Sequence, residues 1–250
     1  MKTSKNDLWQ GLDKGVRKLL STRDYQAGSF AQRLAQTGVA AGEVVAAFKK
    51  GSPETRGAWI PGVEIFPRTV HAQRHRGVFG EFARRDEGVL AEIGLWPAQW
   101  ATARMFARTA KGFHVHPPFI PAGKEAAEWL QKIFVTDPRS FSSRLYRQEQ
   151  WDVIFFVQGV AELILRDVRA GLPRRTMRLF VDGDNHRSDD NAGIVIPPGV
   201  AHAIRAEGAE DIIMVYGTST SFRADFEGRI GSEVETAELP VSWQKFLSAK

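Results

Sequence analysis

Short apolar runs bounded by glycine, proline and polar residues occupy most of the chain after residue 60. Runs of this length and number predict the strands of a β-sandwich or β-barrel. The predicted strands are Val63–Phe66, Val89–Leu95, Arg104–Arg108, Gly112–His116, Val153–Val157, Val160–Val168, Met177–Val181, Gly193–Ile196 and Asp211–Tyr216. Gln158-Gly159, between the fifth and sixth of these runs, predicts a hairpin with a glycine-assisted turn.

The beginning of the chain has helical rather than strand periodicity. Apolar residues recur at helical spacing in three places, Leu8 to Leu19, Phe30 to Leu34 and Val44 to Phe48. The stretch 51–57 contains glycine, serine and proline, which predicts a linker. We therefore expect a helical extension and linker over 1–57 and a β-domain over 58–250.

One later segment also departs from the strand pattern. Ala127, Leu130 and Phe134 fall on a common helical face, and Pro138 follows them. This pattern predicts a helical insertion over about 120–148. It lies between a histidine pair and the Gly159 turn.

The amino-acid composition argues against several classes of function. Apolar residues make up 43% of the 250 residues, and no apolar run approaches the roughly 20 residues that a membrane span needs. The N-terminus lacks the apolar segment of a signal peptide, so we expect a cytoplasmic protein without a membrane partner. The 34 basic residues are scattered among 29 acidic ones, and we expect no nucleic-acid partner.

Cysteine is absent, which excludes disulfides and thiolate catalysis. Histidine and carboxylate side chains are therefore the metal ligands that this chain can offer. The formal net charge of +5 suits an anionic small molecule such as a phosphate ester. The candidate chemistry thus depends on histidines and acids.

Three short motifs bring such residues together. In a strand, His114 and His116 point to the same face because they are two residues apart. Asp152 begins the run before Gly159, and His202 ends a Pro-x-Gly-x-x-His sequence that starts at Pro197. We expect the three imidazoles to converge inside the barrel. With Asp152 they would form a three-histidine, one-carboxylate site for Fe, Mn, Ni or Zn, although barrel-wall histidines held by hydrogen bonds fit the same pattern.

In their order, these motifs resemble the two motifs of cupins, which have a double-stranded β-helix or jelly-roll barrel. A broader resemblance, over Gly62 to Ile230, is to dTDP-4-dehydrorhamnose 3,5-epimerase and its relatives. It is carried by Gly62-Val63, Ile65, Arg76-Gly77-Val78-Phe79-Gly80-Glu81-Phe82, Gln99, Lys111-Gly112-Phe113-His114, Asp167-Val168-Arg169, Ile196 to His202, Thr220 and Glu227 to Ile230. The resemblance implies a homodimeric, metal-independent cupin that modifies sugar nucleotides.

The resemblance also implies roles for single residues. His114 would remove a proton beside the keto group of the sugar, and Lys111 occupies the position of a family arginine, whose charge it keeps. His202 would belong to the same catalytic centre. The family's general-acid tyrosine is Phe222 here, which leaves Tyr216 as the nearest tyrosine that could replace it.

A second set of residues would bind the nucleotide. By the resemblance, Arg76 would meet phosphate, Phe79 would stack on the base and Glu81 would accept from a base N–H. Gln99 matches a glutamine that the family has on a strand that contacts the nucleotide. The family lysine falls at Asp152 and the family glutamine at His116, so both departures supply ligands of a metal-type cupin.

These observations lead to one expected function and two alternatives. We expect a sugar-nucleotide epimerase or isomerase that transfers a proton next to a carbonyl, with a nucleotide-linked or other keto sugar as substrate. The first alternative is a metal-dependent isomerase or oxygenase. The second is a non-catalytic cupin that binds a sugar nucleotide.

Overall fold

The computed structural model describes residues 28–116, 149–169, 171–184, 191–222 and 228–229, together with Gln244, Leu247 and Ser248. The helical pattern predicted before residue 28 and the helical insertion predicted over 120–148 lie outside the described residues. Within those residues, no helix combines the length and apolar character needed to cross a membrane.

Strands dominate the described part of the chain, as the apolar runs predict. They are β1 Val39–Ala40, β2 Glu64–Pro67, β3 Val70–Ala72, β4 Val78–Gly80, β5 Gln99–Met105, β6 Ala110–Val115, β7 Asp152–Gln158, β8 Val160–Asp167, β9 Thr176–Asp182, β10 Ala192–Ile196, β11 Val200–Ala206, β12 Ile212–Thr218 and β13 Gly228–Arg229.

These strands form two large sheets and one small one. Among the described residues, one sheet has the order β1-β9-β8-β11-β6-β13 and the other has the order β2-β10-β7-β12-β5. Strands β3 and β4 pair with each other as a separate two-stranded sheet. The predicted mainly β, jelly-roll class is confirmed.

The inner faces of the two large sheets pack against each other. Alternate residues of each strand point inward, as the period of two requires. This core includes Leu163, Leu165, Leu179, Ile154, Phe156, Ile194 and Ile212, all at most 5% exposed. A second cluster, around Phe155 and Leu90, covers the outer face of the five-stranded sheet.

The predicted hairpin at Gly159 is wrong as a pairing, although the turn itself is present. Strand β7 pairs with β10 and β12, whereas β8 pairs with β9 and β11. The turn therefore carries the chain from one sheet to the other. Gly159 has a φ of 73°, and a Cβ there would lie 2.7 Å from the Asp211 carbonyl oxygen, so the crossing requires glycine.

The α-helices whose bounds lie in the described part of the chain are α1 Phe30–Gln36, α2 Ala41–Lys50, α3 Pro53–Ala58 and α4 Val89–Glu92. Two sequence expectations change here. The predicted linker forms α3, because Ser52 caps its N-terminus by accepting from the Thr55 amide and proline suits the first turn. The predicted strand Val89–Leu95 is instead the single helical turn α4.

The helices near the N-terminus share the hydrophobic core of the barrel. Leu34, Val44 and Val45 are buried in the same cluster as the strand residues. Helices give way to strands between Ala58 and Glu64, near the predicted change of pattern. The division of the chain at residue 57 stays a prediction.

Other strand predictions are also inaccurate or incomplete, and β5 and β11 are examples. The run Arg104–Arg108 was predicted as a strand, but β5 ends at Met105 and a turn follows in which the Thr109 amide donates to the Phe106 carbonyl. Arg108 has a φ of 61° in that turn. Strand β11 was not predicted, because prolines and small residues around it look like a loop; it nevertheless lies at the centre of the six-stranded sheet.

Candidate active site

His114 and His202 are direct partners on the neighbouring antiparallel strands β6 and β11. Their ring centroids lie 5.8 Å apart, and those of His116 and His202 lie 5.7 Å apart. The predicted convergence of the three imidazoles is confirmed. It follows from the two-residue spacing on β6 and from the pairing of β6 with β11.

Two glycines bring these strands into place. A Cβ at Gly112 would lie 2.7 Å from the Ala203 Cα, so glycine allows β6 to approach β11 closely. The turn before His202 is tied to the end of β6, because the Gly199 amide donates to the His116 carbonyl at 2.8 Å. Two of the sequence motifs are thus joined by their own backbones.

An irregularity in this pairing also redirects Lys111. The register of β6 against β11 shifts by one residue between the pairs His114–His202 and Lys111–Ile204. Without a shift, residues three apart on a strand point to opposite faces. Because a bulge re-aims the side chains beyond it, Lys111 and His114 both line the same cavity.

That cavity has a volume of about 370 Å³ and lies between the two large sheets. Its walls include every residue assigned to the catalytic or metal set from the sequence, and also Gln99. The lining residues are Gln99, Lys111, His114, His116, Gln150, Asp152, Ile154, His202, Ile204, Met214, Tyr216, Thr218 and Phe222.

Asp152 reaches the histidines from the opposite sheet, at the start of β7. Its Oδ2 atom lies 3.2 Å from His116 Nε2 and 3.6 Å from His202 Nε2. Gln150 Nε2 donates to the other carboxylate oxygen at 2.9 Å. Burial raises the pKa of Asp152, but positive charge on His116 and His202 and hydrogen bonds from His116 and Gln150 outweigh it, so the pKa falls to about 2.

The environment of His202 favours its neutral form. Burial lowers the pKa of His202 to about 4, and the neighbouring His114 and His116 act in the same direction, against the attraction of Asp152. Its Nδ1 atom lies 3.4 Å from the Val200 carbonyl oxygen. A neutral His202 that donates from Nδ1 to this carbonyl presents a lone pair at Nε2, which can bind a metal ion.

Three residues of the site have the geometry of metal ligands. One ligand atom from each of His116, Asp152 and His202 lies within 4.8 Å of the others. Atoms that share a tetrahedral ion at about 2.1 Å are about 3.4 Å apart, close to the separations observed. His114, the fourth ligand expected from the sequence, does not join this group within the described residues.

The residues expected to bind the nucleotide separate into two places. Gln99 lines the cavity, where its Oε1 accepts from the Phe222 amide at 2.7 Å. Arg76, Phe79 and Glu81 do not line it, because the chain from β3 to β4 forms its own two-stranded sheet. Phe79 is 48% exposed there, and Glu81 pairs with Arg84.

Sequence reasoning missed Gln150 and Thr218 as parts of the cavity wall. Gln150 stands two residues before Asp152, so the alternation of an extended chain places it on the same side. That spacing could have identified it. Thr218, at the end of β12, gives no such signal, because its place depends on the pairing of β12 with β7.

Comparisons with known proteins give one curated relative and several solved structures. The relative is the spore coat polysaccharide biosynthesis protein SpsL of Bacillus subtilis, 26% identical over 168 residues, which cover 66% of this chain and 84% of SpsL. No protein-family model matches the chain.

Among solved structures, a dTDP sugar isomerase from Desulfovibrio desulfuricans has a TM-score of 0.51 at 14% identity, covering 69% of this chain and 86% of the other. The RmlC epimerase of Mycobacterium tuberculosis has a TM-score of 0.48 at 21% identity, covering 67% of this chain and 68% of the other. The chain thus shares the fold of the Desulfovibrio desulfuricans protein, a β-barrel of the cupin type.

Proposed function

We propose that this protein is a sugar-nucleotide epimerase or isomerase that transfers a proton next to the carbonyl of a keto sugar. The observation that carries the proposal is the placement of His114 and Lys111 on one wall of a 370 Å³ cavity, with Tyr216 on β12 of the opposite sheet. A base, a cation and a proton donor are the groups that this reaction needs.

Each group has a defined task in the proposed reaction. His114 removes the proton from the carbon beside the carbonyl, and the electron pair moves to the carbonyl oxygen as an enolate. The Lys111 ammonium stabilises that negative oxygen. Return of a proton from Tyr216, on the other wall, gives the opposite configuration at carbon, whereas return from the side of His114 regenerates the substrate.

The names of two similar proteins support the substrate class. SpsL acts in polysaccharide biosynthesis, and the structure from Desulfovibrio desulfuricans is described as a dTDP sugar isomerase. The excess of basic residues in the chain suits a diphosphate-bearing substrate. We therefore propose a nucleoside-diphosphate keto sugar.

The exposed segment from Arg76 to Glu81 fits this proposal if the protein is a homodimer. These residues do not line the cavity of their own chain, and Val78 and Phe79 expose apolar side chains. We propose that this segment contacts the nucleotide in the cavity of the partner subunit. The association would also cover exposed apolar surface.

A second candidate function rests on the group formed by His116, Asp152 and His202. Two imidazoles and a carboxylate suit Fe, Mn, Ni or Zn, and an ion there would polarise a bound carbonyl. In that case His114, outside the ligand group, remains available as the base. The two candidates thus differ in what stabilises the enolate oxygen.

Proton exchange with deuterated water tests the leading proposal. A nucleoside-diphosphate 4-keto-6-deoxy sugar is incubated with the protein in D₂O, and loss of the signals of protons beside the carbonyl is followed by NMR. We expect exchange in the wild type and its loss in His114→Gln, with Glu210→Gln as a control because Glu210 is exposed before β12 and does not line the cavity. Exchange at an unchanged rate in His114→Gln would exclude this base.

A further inference from the structure

One hydrogen bond at the edge of the cavity joins the start of β5 to the chain beyond β12. Gln99 Oε1 accepts from the Phe222 amide at 2.7 Å, and both residues line the cavity. Of the two ends of a glutamine amide, the oxygen is the one that accepts, so this contact fixes which end faces Phe222. The Gln99 oxygen is therefore engaged by the protein's own backbone, although the resemblance places this residue on a strand that contacts the nucleotide.

Phe222 lies at the end of a short segment, residues 218–222, that we call the rim segment. The beginning of this segment is held to the residue before β7. The Ser219 amide donates to the Trp151 carbonyl, and Ser219 Oγ accepts from the Trp151 amide, both at 2.9 Å. The bond to Gln99 extends this support to the end of the segment that carries the Phe222 ring.

The Phe222 ring lines the cavity and is nevertheless 62% exposed, so it lies at the edge of the cavity. A phenyl ring has no hydrogen-bond donor, and what it offers a ligand is an apolar face. The ring faces of sugars include C–H groups that pack on such a face. A keto sugar bound beside His114 in this cavity would cover the exposed ring and remove its apolar surface from water.

We infer that Phe222 packs against the sugar ring of the substrate and that Gln99 is a positioning residue, which holds the Phe222 backbone at the edge of the cavity. This inference rests on the proposed function and deepens it, because it names a sugar contact outside the groups that transfer the proton. Gln99 then acts through Phe222 rather than by binding the nucleotide. A contact made equally in the bound substrate and in the transition state lowers KM and leaves kcat unchanged.

Four variants and a control separate these roles. Phe222→Ala removes the ring, Gln99→Leu removes the acceptor, and Gln99→Glu keeps an oxygen that accepts from the Phe222 amide. The fourth is the double variant that combines Gln99→Leu with Phe222→Ala. Gln158→Leu is the matched control, since it makes the same exchange of side chains at a residue of β7 that does not line the cavity.

Initial rates of proton exchange in D₂O, at varied concentrations of the nucleoside-diphosphate 4-keto-6-deoxy sugar, give kcat and KM for each variant. Phe222→Ala should raise KM about 10-fold or more with little change in kcat. Gln99→Leu should raise KM by a smaller factor. The double variant should have the KM of Phe222→Ala, because Gln99 then has no ring to position and the two effects are not additive. Gln158→Leu should match the wild type.

Exchange of the Phe222 amide hydrogen tests the positioning role without substrate. Followed by NMR, this exchange should be slower in the wild type than in Gln99→Leu, because the hydrogen bond protects the amide. Gln99→Glu and Gln158→Leu should both retain the slow exchange. If Gln99→Leu does not fold, Gln99→Met, which also lacks the acceptor oxygen, takes its place.

Three results would overturn the inference. An unchanged KM in Phe222→Ala would exclude the sugar contact, and additive increases of KM in the double variant would show that Gln99 contacts the ligand itself. Equally fast exchange of the Phe222 amide in the wild type and in Gln99→Leu would show that this bond does not hold the rim segment. A wild type without any substrate exchange would instead refute the proposed function, while the amide measurement would still decide whether Gln99 positions Phe222.

Discussion

Asp152 and His116 lie 3.2 Å apart although they belong to opposite sheets of the barrel. Strand β7 brings the carboxylate to the end of β6, where the histidine pair is located. A buried carboxylate is costly unless charges or hydrogen bonds compensate it. Here histidines and Gln150 provide that compensation, which also makes the place suitable for a cation.

Metal binding is the first prediction that follows from this contact. Wild-type protein incubated with Mn, Fe, Ni or Zn should hold about one ion per chain, because three ligand atoms already lie at suitable separations. His116→Ala and Asp152→Ala should reduce the occupancy to near zero. His114→Gln should retain it, since His114 lies outside the ligand group. Elemental analysis after gel filtration measures the occupancy.

The result would distinguish the two candidate functions. Far less than one ion per chain in the wild type, after incubation with all four metals, would leave the metal-independent reaction as the remaining enzymatic candidate. Loss of the ion in His114→Gln as strongly as in His116→Ala would instead restore the four-ligand site expected from the sequence.

The sequence predicted which histidines line the cavity, but it did not predict the strand register that places Lys111 beside them. The spacing of His114 and His116 depends on local strand geometry alone, so their common direction was predictable. The shared cavity of Lys111 and His114 was not, because it depends on a register shift against β11. Such a shift is a property of the strand pair, and neither strand shows it in isolation.

The errors in the predicted fold also arise from interactions that a single segment of sequence does not show. Gln158-Gly159 has the composition of a hairpin turn, but partner strands are chosen by long-range packing, and β8 is buried on both faces beside β9 and β11. Likewise, Ser52-Pro53 can interrupt a chain or begin a helix. The hydrogen bond that Ser52 accepts from the Thr55 amide favours the helix here, and composition alone does not show whether this cap forms.

Lys111 should matter for turnover more than for binding. Its ammonium is proposed to stabilise charge that develops only in the transition state, so Lys111→Met should lower kcat by about 100-fold or more with a small change in KM. Lys111→Arg, which keeps the charge, should retain much more of the rate. Steady-state kinetics with the keto-sugar substrate measures both constants.

A different pattern would assign Lys111 another role. An increase in KM with unchanged kcat in Lys111→Met would indicate ground-state binding, for example to the diphosphate. Equal losses in Lys111→Met and Lys111→Arg would show that shape, rather than charge, matters at this position.

His202 should make the stability of the protein depend on pH. Its folded-state pKa of about 4 lies below the ordinary 6.5, so the unfolded chain binds more protons between these values. The stabilising contribution is present above pH 6.5 and is lost as the pH falls towards 4. The shift corresponds to about 3 kcal/mol.

Urea unfolding at pH 7 and pH 4 measures this contribution. The free energy of unfolding should fall less between the two pH values in His202→Gln than in the wild type. His75→Gln is the control, because that side chain is exposed in the turn before β4. An equal fall in the wild type and His202→Gln would contradict the burial of a neutral His202.

Complementation between inactive variants tests whether the segment from Arg76 to Glu81 acts in the partner subunit. His114→Gln removes the base from a cavity, and Phe79→Ala removes an exposed ring from the segment, which does not line the cavity of its own chain. If the segment reaches across a homodimer, a mixed dimer has one doubly defective site and one intact site. Random re-association of equal amounts should then restore about a quarter of the wild-type activity, because half of the dimers are mixed and each has one working site.

Phe106→Ala, which alters another exposed phenylalanine, should be active on its own. Light scattering should show twice the 27.9 kDa mass of the chain. A 27.9 kDa species at all concentrations, or a mixture no more active than its separate components, would place these residues outside the partner's cavity.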